Sequence, residues 1–269
     1  MSLILISRTE SKLVATAAEI DNIKDAHGKK PGQGKSPTRD KTRIIVCDYS
    51  NFDAAAMKHV SSQISDLDIG ILINNVGMSY RYPMYYHELT PSEVSSIIEL
   101  NINSTVIMTH LVLPGMVQRK RGTILNISSG SALHSMPLLA EYGAAKMFIS
   151  RFSQSLDVEY KSVGVRVQCQ VPFYVATKLA KLRKSVSVPT AREYVSMGMK
   201  SLGYGGDAVQ PYWLHALQGY IMAYCIPSFI LDVGVKRMHD GIRQRGMKKD
   251  ATTKSEEVDN NNSGGKKME

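Results

Sequence analysis

A doubly wound α/β fold with a parallel sheet is predicted by three features of the sequence: short apolar or β-branched runs, helical patterns between them, and length for one large domain. The runs at residues 3–6, 43–47, 69–73, 122–127 and 165–169 show little polar alternation, as expected of strands covered on both faces. The stretches 10–25, 52–65, 91–117 and 139–162 have the length and apolar spacing of crossover helices. A chain of 269 residues can bury a substantial core without splitting. With 43% hydrophobic and 21% charged residues it is globular rather than disordered or multi-spanning. Right-handed crossovers place any ligand beyond the carboxyl ends of the strands.

The first apolar run is four residues followed by charge, too short for a signal peptide or an anchor, and reads as a strand. Residues 27–41 are rich in Gly, Lys and Pro without periodicity, which predicts a lengthened surface loop before the next strand. Beyond Pro189 the alternation weakens. Residues 189–247 form a substrate- or membrane-facing lobe of one domain spanning 1–247, and the polar stretch 248–269 is expected to be a disordered tail. Residues 213–231 carry no formal charge but contain His215, Gln218, Gly219 and Pro227, so they suit an interfacial or substrate-covering helix better than a bilayer span.

The net charge of +9 concentrates in residues 27–43 and 236–249, and neither run is interleaved with aromatics, so no nucleic-acid surface is expected. Cys47, Cys169 and Cys225 are far apart and lack a CxxC or His-rich setting, so no metal is expected, and free buried thiols fit a reducing compartment.

Chemistry concentrates in residues 122–146, GTILNISSGSALHSMPLLAEYGAAK. A strand delivers Ser128 and Ser129, and a helix then carries Tyr142 and Lys146 four apart on one face. Tyrosine titrates near pH 10, and a cation one turn away lowers that value. Ser129, at the end of its strand, can donate a hydrogen bond to a substrate carbonyl.

NNVG at 74–77 follows a strand, ELNINS at 99–104 puts Asn101 in the next helix, and VPFYVATKLAK spans 171–181. With the serine and Tyr-x-x-x-Lys segments, these resemble the short-chain dehydrogenase/reductase family over residues 2–181, which implies a Rossmann-like fold. The resemblance implies that Tyr142 is a general acid, Lys146 its pKa-lowering neighbour and a ribose contact, Ser129 the carbonyl holder and Asn101 part of a water-borne proton relay. It places Asn75 and Gly77 beside the adenosine, Asp48 at the adenine, and Pro172 and Thr177 along the nicotinamide. Arg8, assisted by Ser7, stands where an acidic residue would bind the ribose of NAD. An arginine there suits the 2′-phosphate, hence NADPH.

LVLPGMVQRKRGTILNISSGSA and YVATKLAKLRK are similar to a branch of the family acting on 3-oxoacyl-CoA or steroid ketones. That implies reduction of a long-chain 3-oxoacyl-CoA during fatty-acid elongation, or of a steroid ketone, at the endoplasmic reticulum membrane. Elongation enzymes are possible partners, and homo-oligomers are frequent in the family. Lys266 and Lys267, fourth and third from the end, resemble a dilysine retrieval signal.

The family's opening strand and TGxxxGxG are missing from this chain, whose first strand corresponds to the family's second. GMKSLGYG at 198–205 has different spacing and is read as a decoy. In the strand order 3-2-1-4-5-6 the missing strand falls between residues 3–6 and 69–73. The expectation is an internal start within a longer protein, and the alternative a truncated, non-catalytic partner of elongation enzymes.

Overall fold

The computed structural model describes residues 2–28, 42–177, 182–203 and 208–264, with side chains described except at 24–28 and 253–264. Most of the expected loop at 27–41, the end of VPFYVATKLAK, the last glycine of the decoy and the dilysine pair therefore lie outside the described residues. The chain divides into two compact units, Met1–Asp68 and Ile69–Glu269.

In the first unit, strand β1 (Ile4–Ser7) pairs in parallel with β2 (Arg43–Val46), joined through helix α1 (Glu10–Gly28). Asp21 of α1 accepts from the Thr42 backbone N–H at 3.1 Å and from its hydroxyl at 2.6 Å, fixing the entry to β2. Asp48 then caps a 3-10 turn at Tyr49–Asn51, and Asp53 caps α2 (Ala54–Ile64) by accepting from Ala56 N–H. Ile45, Cys47, Phe52 and Val60 are buried in this unit.

The second unit holds a parallel sheet in the order β3 (Ile71–Asn74), β4 (Gly122–Ile127), β5 (Val165–Gln170). Ile124, Val165 and Val167 are essentially inaccessible, as the unalternating runs predicted. Both sheets are parallel, with helices joining their strands, so the α/β Rossmann-like class holds. Gly164, with φ 84°, makes the turn into β5, where a Cβ would lie 2.2 Å from the Lys120 carbonyl oxygen.

The stretch 91–117, expected as one helix, is interrupted. Helix α3 (Pro91–Ile98) starts with a Thr90–Glu93 capping box, passes into a π-helical turn at Glu99–Asn103, and continues as α4 (Ser104–Gln118). The Asn101 side-chain amide donates to the Ile97 carbonyl at 3.0 Å and to that of Met78 at 2.8 Å. A side-chain donor to a carbonyl one turn back competes with the backbone ladder and accounts for the widened turn. By length and composition Pro91–Gln118 could cross a membrane, but Met108, Thr109, Val112 and Met116 are buried within this unit.

Helix α5 (Ala140–Tyr160) follows β4, and α6 (Ala191–Lys200), α7 (Trp213–Tyr220) and α8 (Ser228–Gly264) follow β5. Within α6, Gly198 packs against the Gln170 side chain, a structural position for the glycine that opens the decoy. Helix α8 continues through residues 248–264, where composition pointed to a disordered tail. No proline or glycine falls between Gly246 and Gly264, and elongation of a helix already nucleated and docked avoids the unfavourable first turn. Arg243 of α8 meets both oxygens of Glu88, at 2.6 and 2.5 Å.

Candidate active site

Tyr142 and Lys146 lie on the first two turns of α5, and the Lys146 ammonium stands 5.9 Å from the centroid of the Tyr142 ring. The helix turn that carries Lys146 is pinned from behind. Ser128 donates to the Lys146 carbonyl oxygen at 2.7 Å, and Ser150 donates to the Ser128 hydroxyl at 3.0 Å. The Lys146 ammonium donates to the Ile127 carbonyl at 3.2 Å. Lys146 is only 6% exposed, and burial pushes its pKa down to about 8.

The tyrosine departs from the expectation drawn from spacing. Burial raises the Tyr142 phenol above its ordinary value, while the hydroxyls of Ser129 and Ser131 pull it down and Tyr174 adds a smaller upward push. A cation beside the ring face, itself desolvated, does not reverse the burial of a phenolate. Ser131 lies outside strict hydrogen-bond geometry, and its backbone N–H is accepted by Ser129 at 3.2 Å. Two groups here went unnoticed in the sequence. Ser131 was visible as the third serine of SSGS, whereas the approach of Tyr174 depends on how the loop after β5 returns.

Asn101 and Gly77 complete this part of the site. A Cβ at Gly77 would lie 2.7 Å from Asn101 Oδ1 and 3.1 Å from Lys146 Nζ, so the backbone here approaches both closely. Asn101 is 1% exposed, and its Oδ1 makes no hydrogen bond. The adjacent Asn74 serves the scaffold instead. Its amide bonds Asn126 Oδ1 at 2.8 Å and Thr109 Oγ1 at 3.2 Å, tying β3 to β4 and α4. Asn75, by contrast, is exposed just past the end of β3.

Pro172 lies just after β5, its carbonyl accepting from Gly130 N–H at 2.7 Å, and the Phe173 ring covers Gly130 where a Cβ would sit 2.7 Å from it. Thr177 is exposed at the end of this loop. In the first unit, exposed Arg8 and Asp48 follow β1 and β2. Asp48 is held below the ordinary carboxylate range by the Ser50 backbone N–H and hydroxyl, with a smaller pull from Arg8.

Thus Tyr142, Lys146, Ser129, Asn101, Gly77, Asn75 and Pro172 occur at the carboxyl end of the three-stranded sheet of the second unit, while Arg8 and Asp48 occupy the carboxyl end of the two-stranded sheet of the first. The close approach at Gly77 and the unbonded Asn101 oxygen fit a ribose-bearing dinucleotide, and the strand-end cation Arg8 fits a ribose phosphate. A cleft of about 650 Å³ bordered by Val186, Met197, Tyr212 and Trp213 lies in the lobe after β5 and includes none of these residues. Among the described residues no cluster of three or more metal-binding side chains occurs.

The sequence pattern of the family described as short chain dehydrogenase matches residues 1–186. The very-long-chain 3-oxoacyl-CoA reductase of Homo sapiens is 39% identical over 252 residues, covering 93% of this chain and 75% of that protein. The inactive hydroxysteroid dehydrogenase-like protein 1 of Homo sapiens is 34% identical over 252 residues, covering 92% and 71%. A solved short-chain dehydrogenase from Sphingobium yanoikuyae, in complex with NADPH, superposes with a TM-score of 0.65 at 23% identity, covering 81% of this chain and 83% of that one.

Proposed function

This chain belongs to the short chain dehydrogenase family, and on that premise we propose that it reduces the 3-keto group of a long-chain 3-oxoacyl-CoA to a hydroxyl, with NADPH, in fatty-acid elongation. The observation that carries this reading is the convergence of a half-buried tyrosine, a buried amine and a serine at the carboxyl end of β4.

The nicotinamide supplies hydride when bound. Arg8 and Asp48 would hold the phosphorylated ribose and the adenine, Asn75 and Gly77 the adenosine, Pro172 and Thr177 the nicotinamide side, and Lys146 the second ribose. Ser129 donates a hydrogen bond to the substrate ketone. Tyr142 then gives its proton to that oxygen as negative charge develops. With its pKa raised by burial, the phenol is protonated at neutral pH, the form that donates a proton in reduction. Lys146 and the Asn101 side-chain oxygen provide the route by which the phenol regains its proton.

The identity with several very-long-chain 3-oxoacyl-CoA reductases supports the acyl-CoA over a steroid ketone as substrate. The relative described as inactive favours a second reading, a non-catalytic partner of elongation enzymes. We place the protein at the endoplasmic reticulum membrane, on its likeness to the very-long-chain 3-oxoacyl-CoA reductases and on the uncharged stretch 213–231. NADPH oxidation with a long-chain 3-oxoacyl-CoA and with a steroid ketone tests these readings. Turnover of the acyl-CoA is expected. Turnover of the steroid alone moves the assignment to the steroid, and turnover of neither supports the non-catalytic reading.

A further inference from the structure

His215, the third residue of α7, is fully buried, and the proton transfer described above does not use it. An imidazole taken out of water loses the hydration of both ring nitrogens, so the partners it meets instead decide what it does. Its Nδ1 accepts from the Phe173 backbone N–H at 3.3 Å. An accepting nitrogen carries no proton, which puts the ring proton on Nε2, a nitrogen that makes no hydrogen bond. Burial pushes the imidazole below its ordinary value, against smaller upward pulls from the backbone of Ser187 and Tyr174. The ring is therefore neutral at pH 7, and Nδ1 keeps its lone pair for the amide.

Three aromatic rings hold the imidazole in place. Phe173 stands 5.7 Å away between centroids, Tyr194 of α6 5.9 Å, and Tyr212 meets it edge-on at 5.0 Å. Tyr212 is fixed in turn, its hydroxyl donating to the Val186 carbonyl at 2.6 Å. A cage of this kind could be filled as well by a hydrocarbon ring. What the imidazole adds is the acceptor.

The amide it accepts from belongs to a peptide unit held at both edges. The Pro172 carbonyl accepts from Gly130 N–H at 2.7 Å, and that carbonyl and the Phe173 N–H lie on opposite sides of one rigid plane. Turning the plane to release one bond strains the other. Gly130 directly follows Ser129, the Phe173 ring covers Gly130, and Tyr174, the next residue along, bears on the Tyr142 phenol.

We propose that His215 is a positioning residue for reduction: its neutral imidazole holds the Pro172–Phe173 peptide plane, and through it sets Ser129 for the substrate ketone and the segment after β5 for the nicotinamide side. The chemistry served rests on the reductase reading above, whereas the contact stands on the geometry alone.

Two substitutions in the full chain separate the acceptor from the packing. His215→Asn puts an amide oxygen near the place of Nδ1, and His215→Phe fills the cage without an acceptor. Hydrogen exchange at the Phe173 amide is expected to stay slow in the parent and in His215→Asn, and to run about tenfold faster or more in His215→Phe. With NADPH and a long-chain 3-oxoacyl-CoA, kcat falls on the order of tenfold to a hundredfold in His215→Phe and largely returns in His215→Asn, while KM for NADPH and the melting temperature hold in both. The opposite ranking, or equal loss of kcat in both variants, makes His215 a packing residue and overturns the proposal. So does equal exchange at Phe173 in all three proteins. Should both variants melt early, nitrogen-15 NMR of the parent decides. The imidazole in contact with three aromatic rings must show an unprotonated, hydrogen-bonded Nδ1 and a protonated Nε2 at neutral pH, and the other tautomer or a charged ring overturns the assignment. A parent that reduces no ketone removes the reductase reading, and exchange at the Phe173 amide still decides whether His215 holds this peptide.

Discussion

At the scale of single residues, the site is organised around an amine that the fold holds at a cost. The ordinary pKa of lysine is 10.5, and in the folded protein Lys146 stands at about 8. Below pH 8 the ammonium is charged in both states and the folded state carries the full penalty of burying it. As the pH rises from 8 to 10.5 that penalty disappears. Lys146→Met is therefore expected to be more stable to unfolding than the parent at pH 7, by up to about 3 kcal/mol. The advantage shrinks to nothing by the top of that pH window, while reduction is lost throughout; melting curves at several pH values read this directly. Gly77→Ala is expected to lower kcat on the order of a hundredfold with little change in melting, because the new methyl displaces Asn101 Oδ1 and Lys146 Nζ. The pairing of Tyr142 with Lys146 was legible in the sequence, since a separation of four fixes two side chains on one helical face. The upward shift of the phenol was not, because it comes first from burial by segments distant in sequence and then from a smaller push by Tyr174, against the pull of the Ser129 and Ser131 hydroxyls.

At the scale of elements, β4 was legible to the residue, while the other strands shifted by one or two positions at their ends, where flanking residues such as Asn74 and Gln170 join the ladder. What escaped was the π-helical turn, since nothing in an apolar-periodic run announces that one asparagine will bond a carbonyl four residues back. The capping boxes at Thr90–Glu93 and Thr190–Glu193 were there to be read, and they fix the starts of α3 and α6. The packing of α5 against β5 includes one paired charge. Asp157 meets Arg166 at 3.0 and 3.1 Å and accepts from Val167 N–H at 2.9 Å. Burial pushes this carboxyl up, but those partners outweigh it and hold its pKa below the ordinary value. Its stabilising contribution is thus present above the ordinary carboxylate range and is lost as the pH falls through the lowered value. Asp157→Ala is expected to cost about 3 kcal/mol in urea unfolding at pH 7, because Arg166 and the Val167 amide lose their acceptor, and less in acid.

At the scale of the whole molecule, the alternation of strand and helix was enough to assign the doubly wound class, because parallel strands joined by crossover helices leave few other arrangements. The division after Asp68 was not legible, since it falls within a continuous β/α rhythm. A two-stranded sheet with two helices is a small unit and marginal by itself. Limited proteolysis is accordingly expected to cut within Met1–Asp68 before the second unit, and NADPH is expected to slow that cleavage through Arg8 and Asp48. First cleavage inside the β3-β4-β5 unit would argue against this order. The central claim, that the Tyr142 phenol protonates the developing alkoxide, is tested most directly by the rate of NADPH oxidation with a long-chain 3-oxoacyl-CoA in Tyr142→Phe. The account requires a loss on the order of a hundredfold to ten-thousandfold with NADPH affinity and melting temperature retained. A Tyr142→Phe protein that turns over substrate at the parent rate would contradict it.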